Sequence, residues 1–111
     1  MAVAIAPATP DLARVASAVS IPVLAQHVDR FDAGAHTGFV PAESVKASGG
    51  WGSLVNHSEH PLTERTTRET VGRLQGLGLA AVVCARDVPV ARRLGRLIPP
   101  YLGRASGAYR R

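Results

Sequence analysis

Residues 52–84 read GSLVNHSEHPLTERTTRETVGRLQGLGLAAVVC, and their pattern indicates the fold class. It begins with the short apolar run Gly52–Val55 and ends with Leu79–Cys84, which is unbroken in apolar residues. Between the two runs, Thr63 is a suitable N-cap for a helix that continues to about Leu77. A strand, a helix and a second strand in this order form a parallel βαβ unit, and continuous apolar strands are typical of sheets that are buried on both faces. The sequence therefore predicts an α/β fold with a parallel sheet.

The same alternation of strand and helix extends to the N-terminal and C-terminal sides of this unit. Residues 3–6 (VAIA) and 22–26 (PVLAQ) have the composition of short buried strands. Further helices are predicted over residues 9–19, 41–47 and 87–97, because each begins at a capping residue or a proline. The chain is thus expected to hold about four parallel βα units in one domain, residues 1–103, followed by a basic tail, residues 104–111.

Composition narrows the class of protein further. The chain has 111 residues, of which 46% are hydrophobic, so we expect one folded domain rather than a disordered chain. Its apolar runs are much shorter than the ~18 residues of a membrane span, and its first residues lack the basic start of a signal peptide. The single cysteine, Cys84, argues against a disulfide framework and against a cysteine-rich zinc site. We expect a cytoplasmic protein without a membrane partner.

The net charge of +5 results from 13 basic and 8 acidic residues. Twelve of the 13 basic residues are arginines, and they are spread along the chain rather than interleaved with aromatic residues. Single-strand binders usually combine basic grooves with aromatic stacking platforms, and other nucleic-acid binders gather their basic residues on one face. Three of the arginines also lie in the last eight residues. A nucleic-acid partner is therefore not expected, and a small basic nucleic-acid binder is the disfavoured alternative.

Polar side chains follow the predicted strands at residues 26–27, 56–59 and 86–87, and the loops after parallel strands are where chemistry collects in such sheets. His57 is the strongest candidate, because it follows a buried strand and lies a few residues before a helix. The positive potential of a helix N-terminus disfavours the protonated imidazole, and a neutral imidazole can donate an N–H to a developing enolate oxygen. Position alone leaves open the alternative of a surface histidine at a strand end.

The other polar candidates have weaker signals. Glu59 can orient a substrate, move a proton or pair with Arg65. His27 and His57 both end strands, but two histidines without a third ligand make a poor zinc site, so no metal is expected. Cys84 ends a buried strand and is expected to be an inert small hydrophobe. Residues 34–38 (GAHTG) lack the spacing of a phosphate-binding loop and are more typical of a protruding interaction loop.

Four motifs, in their order and spacing, resemble triosephosphate isomerases of the archaeal type: VLAQHVD (23–29), GAHTGFVPAESVKASG (34–49), LVNHSE (54–59) and LGLAAVVC (77–84). The likeness extends over roughly residues 3–97. That family forms a (β/α)8 TIM barrel of about 200–250 residues, so the resemblance implies a partial barrel made of the family's strands two to five. It also implies interconversion of dihydroxyacetone phosphate and glyceraldehyde 3-phosphate in glycolysis and gluconeogenesis, without metal or organic cofactor, in a homo-oligomer.

The resemblance assigns roles to the two polar residues of the NHSE motif. His57 matches the family's electrophilic histidine, and Glu59 matches a supporting acid in the neighbourhood of the active site. Triosephosphate isomerase is itself a known case of a neutral histidine that polarises the substrate carbonyl while a glutamate moves the proton. This sequence departs from the family after the motif, where His60 and Pro61 stand in place of basic residues. That departure puts the local salt bridges in doubt but not the role of His57.

The resemblance also implies subunit contacts. Thr37, in GAHTG, matches the tip of a loop that enters a neighbouring subunit and braces its active site. Gln26 and His27 match positions near the subunit interface. We therefore expect these three residues to contribute to an interface.

Several parts of the family's active site have no match in this sequence. These are the substrate-binding Asn and Lys of the first strand, the general-base glutamate after the sixth strand, the closing loop and the glycine-rich phosphate loops. We therefore expect this chain alone to have no appreciable isomerase activity. The alternative is a non-catalytic half-barrel that acts as an interaction module through its sheet edges and the loop of Thr37.

The basic tail has a separate explanation. One set of codons for residues 104–111 (RASGAYRR) also spells Glu-Pro-Pro-Glu-Leu-Ile-Gly when read one base later. The resemblance leads us to expect this string where the general-base glutamate belongs. Our hypothesis is that the tail is out-of-frame translation and that its charge has no functional meaning.

Overall fold

The computed structural model describes residues 3–97 and 106–110, which form one parallel sheet flanked by helices. The strands are β1 (Leu24–Ala25), β2 (Gly52–Val55), β3 (Ala80–Ala85) and β4 (Ser106–Arg110). The α-helices are α1 (Leu12–Ala18), α2 (Ala42–Ala47), α3 (Glu64–Gly76) and α4 (Val88–Leu97). A short 3-10 helix, Thr9–Asp11, leads directly into α1.

The strands are neighbours in the same order as in the sequence. The sheet has the order β1-β2-β3-β4, and every pair of neighbouring strands is parallel. In the pair formed by β2 and β3, Leu54 lies opposite Val82. Sequential parallel strands with helices between them are the arrangement from which (β/α)8 barrels are built. The predicted α/β fold with a parallel sheet is thus observed.

One face of the sheet forms the core together with the helices. Side chains alternate between the two faces along a strand. Val55 and Val83 therefore share this face with the residues two positions away along each strand. They pack with the helix residues Leu12, Val45, Val71, Leu74 and Leu94, all of which are buried. The opposite face carries Leu54 and Val82, which are only half-buried. The helices therefore cover one side of the sheet, and the pocket described below opens on the other.

The predicted strand over residues 3–6 is wrong, because the structure forms only an isolated parallel bridge between Ile5 and Val23 there. The Ile5 N–H donates to the Pro22 carbonyl over 3.1 Å, and the Leu24 N–H donates to the Ile5 carbonyl over 2.7 Å. To extend this parallel pairing, the next hydrogen bonds would have to come from the backbone nitrogen of Pro22 in one direction and of Pro7 in the other. Proline carries no N–H, so neither bond can form. The ladder therefore stops after one residue on each side.

Two of the four α-helices, α3 and α4, begin with the predicted capping chemistry. Thr63 caps α3 by accepting a hydrogen bond from the Thr66 N–H over 3.0 Å, and Asp87 accepts one from the Val90 N–H at the start of α4 over 2.9 Å. Asp11 differs, since its carboxylate binds Arg14 and makes no cap. Gly78, just beyond α3, has φ +73, a conformation that glycine adopts without strain.

Part of the predicted tail extends the sheet. Ser106–Arg110 pair in parallel with β3 over five positions, whereas the rest of residues 104–111 lies outside the described residues. The out-of-frame hypothesis is not tested by this pairing and stays a prediction. Within the part of the chain that the structure describes, no helix is long and apolar enough to cross a membrane.

Candidate active site

A pocket of about 320 Å³ opens at the carboxyl ends of β1 and β2. It is lined by Thr9, Gln26, His27, Leu54, His57, Glu59 and His60. The pocket brings together four of the five site residues expected from the sequence. Thr37, the fifth, is not among its lining residues and lies on an exposed loop.

His57 lies in a tight turn that leads out of β2. The His60 N–H donates to the His57 carbonyl over 2.7 Å, which closes the turn. The Glu59 N–H donates to Nδ1 of His57 over 3.1 Å. An imidazole nitrogen that accepts a hydrogen bond carries no proton, so the neutral ring holds its proton on Nε2. The backbone of the turn thereby selects the tautomer that leaves an Nε2–H donor, and His57 remains 24% exposed.

Asn56 holds this turn in place, although the sequence analysis gave it no role. Its backbone has φ +62, in the left-handed region that asparagine tolerates better than most residues. Its Nδ2 donates to the Cys84 carbonyl at the end of β3 over 3.0 Å, and its Oδ1 accepts from the Leu62 N–H over 2.7 Å. An asparagine directly after a buried strand was the available sequence signal.

The side chain of Glu59 points mostly into solvent. It is 89% exposed, and its Oε1 lies 3.8 Å from Nδ1 of His57. Arg65, which was the expected arginine partner of Glu59, lies on the next helix, where its Nε is 3.7 Å from Oε1 of Glu69. The backbone N–H of Glu59 therefore makes the closer contact with His57.

His27 connects the pocket to the base of a long loop. Its Nε2 lies 2.8 Å from Oδ1 of Asp29, and Oδ2 of Asp29 accepts from the Val40 N–H over 2.8 Å. The Asp29 N–H donates to the Val40 carbonyl over 2.8 Å, so residues 29–40 form a closed loop. The ring of His60 stacks on the ring of His27, with centroids 3.5 Å apart and planes 10° from parallel. His60 was not among the expected site residues.

The loop that carries Thr37 is organised by its aromatic residues. Phe31 stacks on His36 with centroids 4.5 Å apart and contacts Phe39 edge-on at 5.0 Å. The Phe39 N–H donates to the His36 carbonyl over 3.1 Å, which places Thr37 in an exposed turn. The expected interface residues Gln26 and His27 contact groups of their own chain, since Nε2 of Gln26 donates to the Ala6 carbonyl over 3.0 Å. The interface role of these three residues stays a prediction.

An ion-pair cluster fixes the far side of the same loop. Arg73 of α3 donates from Nη2 to Oε2 of Glu43 of α2, and Nη1 of Arg73 lies 3.2 Å from Oδ1 of Asp32. The hydrogen bond from Arg73 lowers the pKa of the Glu43 carboxyl, and the same bond raises the pKa of Arg73. The cluster therefore joins two helices to the loop through charged groups.

The pocket offers no arrangement for a metal ion. Among the described residues, no group of three or more His, Cys, Asp and Glu side chains has a geometry that would hold one. Cys84 is buried at the end of β3.

Comparisons with known proteins show which family the chain is similar to. A family model described as triosephosphate isomerase matches residues 1–99. The triosephosphate isomerase of Methanosarcina mazei is 38% identical over 100 residues, which cover 90% of this chain and 45% of that protein. The enzyme of the same name from Archaeoglobus fulgidus is 44% identical over 92 residues, covering 83% of this chain and 41% of that protein.

A solved structure gives the same fold. The crystal structure of triosephosphate isomerase from Bartonella henselae superposes with a TM-score of 0.85 at 19% identity, covering 99% of this chain and 54% of that one. The expected partial TIM barrel is thereby confirmed. The chain spans about half the length of the curated relatives it matches.

Proposed function

The chain belongs to the triosephosphate isomerase family, and we propose that His57 is the electrophile of an isomerase that interconverts dihydroxyacetone phosphate and glyceraldehyde 3-phosphate. The observation that carries the proposal is the hydrogen bond from the Glu59 N–H to Nδ1 of His57, 3.1 Å long. This bond supports an Nε2–H donor at the pocket rim without any protonation of the ring.

The proposed chemistry needs only a neutral imidazole and a carboxylate. In an aldose–ketose interconversion, a carboxylate removes a proton from carbon and negative charge develops on the carbonyl oxygen. A preorganised N–H donor aimed at that oxygen stabilises the enediolate and can relay protons between the two oxygens. His57 supplies the donor, and Glu59 supports it through its backbone N–H. No metal or organic cofactor enters this scheme.

We further propose that this chain alone does not turn over substrate. The family's general base and phosphate loops have no match among its residues, and the chain spans 45% of the Methanosarcina relative. The test is an assay of the purified chain with glyceraldehyde 3-phosphate, beside a His57→Gln variant that keeps a polar side chain. Both are expected to give the buffer rate. If the parent chain turns over substrate and the His57→Gln variant does not, the proposal that the chain is inactive is wrong, and the proposal that His57 is the electrophile is supported.

The tautomer of His57 tests the electrophile proposal without any need for activity. The ¹⁵N shifts of the imidazoles are expected to show the proton of His57 on Nε2 at neutral pH. His36 is the matched control, because its Nδ1 lies 3.1 Å from the Asp32 carbonyl and must therefore be the donor. Opposite tautomers for the two rings support the proposal. A proton on Nδ1 of His57, or a protonated His57 at neutral pH, would overturn it.

A second candidate is a non-catalytic interaction module, and one observation favours it. Phe39 is 49% exposed on the closed loop of residues 29–40, beside the exposed Thr37. Exposed aromatic side chains on rigid loops are typical of interfaces. We propose that this loop, with Gln26 and His27, contributes to a homo-oligomer. Sedimentation of the parent chain is expected to give a mass above the 11.6 kDa of the monomer. The Phe39→Asp variant is expected to sediment as a monomer. A parent chain that is monomeric would contradict the proposed homo-oligomer.

The remaining proposals concern origin and location. We propose that the chain is of the archaeal type, supported by its 38–44% identity to the Methanosarcina mazei and Archaeoglobus fulgidus relatives. The single cysteine supports the cytoplasm as its location. For residues 104–111, we propose out-of-frame translation. The nucleotide sequence tests this: codons that do not spell Glu-Pro-Pro-Glu-Leu-Ile-Gly in the adjacent frame would rule it out.

A further inference from the structure

The stacked pair of His27 and His60 lies directly beside the turn that positions His57. The two rings are 3.5 Å apart between centroids and 10° from parallel, so they share a full face. His60 also closes the turn, because its N–H donates to the His57 carbonyl over 2.7 Å. The stack therefore joins the end of the turn to His27, which lies two residues beyond β1.

The two rings have different surroundings. His27 is 13% exposed, and its Nε2 lies 2.8 Å from Oδ1 of Asp29. His60 is exposed, and the polar groups that line the pocket with it include the titratable side chains of His57 and Glu59. His27 thus has a carboxylate that balances a positive charge. The solvent-exposed carboxylate of Glu59 is the acid nearest to His60 in the sequence.

We propose that His27 and His60 form a pH-sensitive clasp that positions the His57 turn. Protons on both rings place two positive charges face to face, with ring centroids 3.5 Å apart, and like charges at this distance repel. Acidification then separates the rings, and the turn of residues 57–60 loses its contact with the end of β1. His60 is a positioning residue in this scheme, since it acts on His57 through the turn.

The experiment follows the hydrogen exchange of the His60 amide in the intact chain. Exchange is measured from about pH 7.5 to about pH 5.5, where imidazoles take up protons, and is corrected for the intrinsic pH dependence of exchange. Because an interaction between charges near the protein surface is worth up to about 1 kcal/mol, the protection factor of the His60 amide is expected to fall about fivefold. The Val83 amide in the sheet is expected to keep its protection, which separates release of the turn from unfolding.

Three variants distinguish a clasp from a purely structural contact. His60→Phe keeps a flat ring without a titratable proton, so its protection is expected to stay high and independent of pH. His60→Ala is expected to exchange rapidly at both pH values. His36→Phe is the matched control, since His36 is also stacked, on Phe31, but lies in the other loop. It is expected to leave the pH dependence of the His60 amide unchanged.

Two results would overturn the clasp. One is a His60 protection factor that does not change with pH in the parent chain. The other is a His60→Phe variant that retains the parent's pH dependence, because another group would then be responsible. Neither result bears on the tautomer of His57 at neutral pH, so the clasp and the proposed function fail separately.

Discussion

Asn56 is the residue whose replacement tests most directly how the site is built. Substitution by alanine removes two hydrogen bonds, to the Cys84 carbonyl and from the Leu62 N–H, and leaves a Cβ residue at φ +62. Each bond contributes about 1 kcal/mol, and the left-handed backbone costs alanine about 1 kcal/mol more than asparagine, whose short polar side chain tolerates this conformation. We therefore expect Asn56→Ala to lower the free energy of unfolding by about 3 kcal/mol.

Two further variants separate the backbone contribution from the side-chain contribution. Asn56→Gly loses both bonds but adopts φ +62 without strain, so its expected loss is about 2 kcal/mol. Asn56→Asp keeps the acceptor for the Leu62 N–H but turns a carboxylate oxygen toward the Cys84 carbonyl. Its expected loss is about 1–2 kcal/mol, from the missing donor.

The assay is urea denaturation followed by circular dichroism, together with hydrogen exchange of the Leu62 amide. That amide is expected to lose protection in the alanine and glycine variants and to keep it in the aspartate variant. Equal stabilities of the alanine and glycine variants would show that φ +62 imposes no cost at this position. Unchanged protection of the Leu62 amide in Asn56→Gly would refute the bond to Oδ1.

The remaining predictions concern the sheet and the ion-pair cluster. A Cβ at Gly52 would lie 2.1 Å from the Ala80 carbonyl oxygen, so Gly52→Ala is expected to cost about 3 kcal/mol or more in urea denaturation. Gly72→Ala is the control, because a Cβ at that position meets nothing within 4 Å. This variant should stabilise helix α3 by about 0.5–1 kcal/mol. Equal effects of the two substitutions on stability would contradict the steric explanation. Arg73 lowers the pKa of Glu43 in the folded state. The ionised Glu43 carboxylate therefore stabilises the fold at a pH above the pKa that this group has in the unfolded chain. That stabilisation is lost as the pH falls through the lower pKa of the folded state. Glu43→Gln should therefore lower the urea midpoint at about pH 7 but not at about pH 3, and a difference that persists in acid would exclude the ion pair as its cause.

Much of the fold could be predicted from the sequence, because strand and helix signals are local. The strand Gly52–Val55 and the caps at Thr63 and Asp87 are observed as expected. Each depends on residues within a few positions of one another. His57 was likewise expected from its place two residues beyond a strand, although its role stays a proposal.

The errors occurred where a partner strand decides the outcome. Residues 3–6 have the composition of a strand, yet they pair only through Ile5. The cause is the register, which aligns the prolines at positions 7 and 22 with the next donors of the ladder. No pattern within residues 3–6 contains that information.

Local patterns in the sequence are enough to predict a parallel α/β chain with a histidine shortly after the strand of residues 52–55. How that histidine is held depends on tertiary contacts, because the groups that hold the turn come from distant positions. The Cys84 carbonyl is 28 residues from Asn56, and the ring of His27 reaches His60 from the end of another strand. Periodicity and capping act over a few residues, whereas these contacts exist only once the strands have come into register.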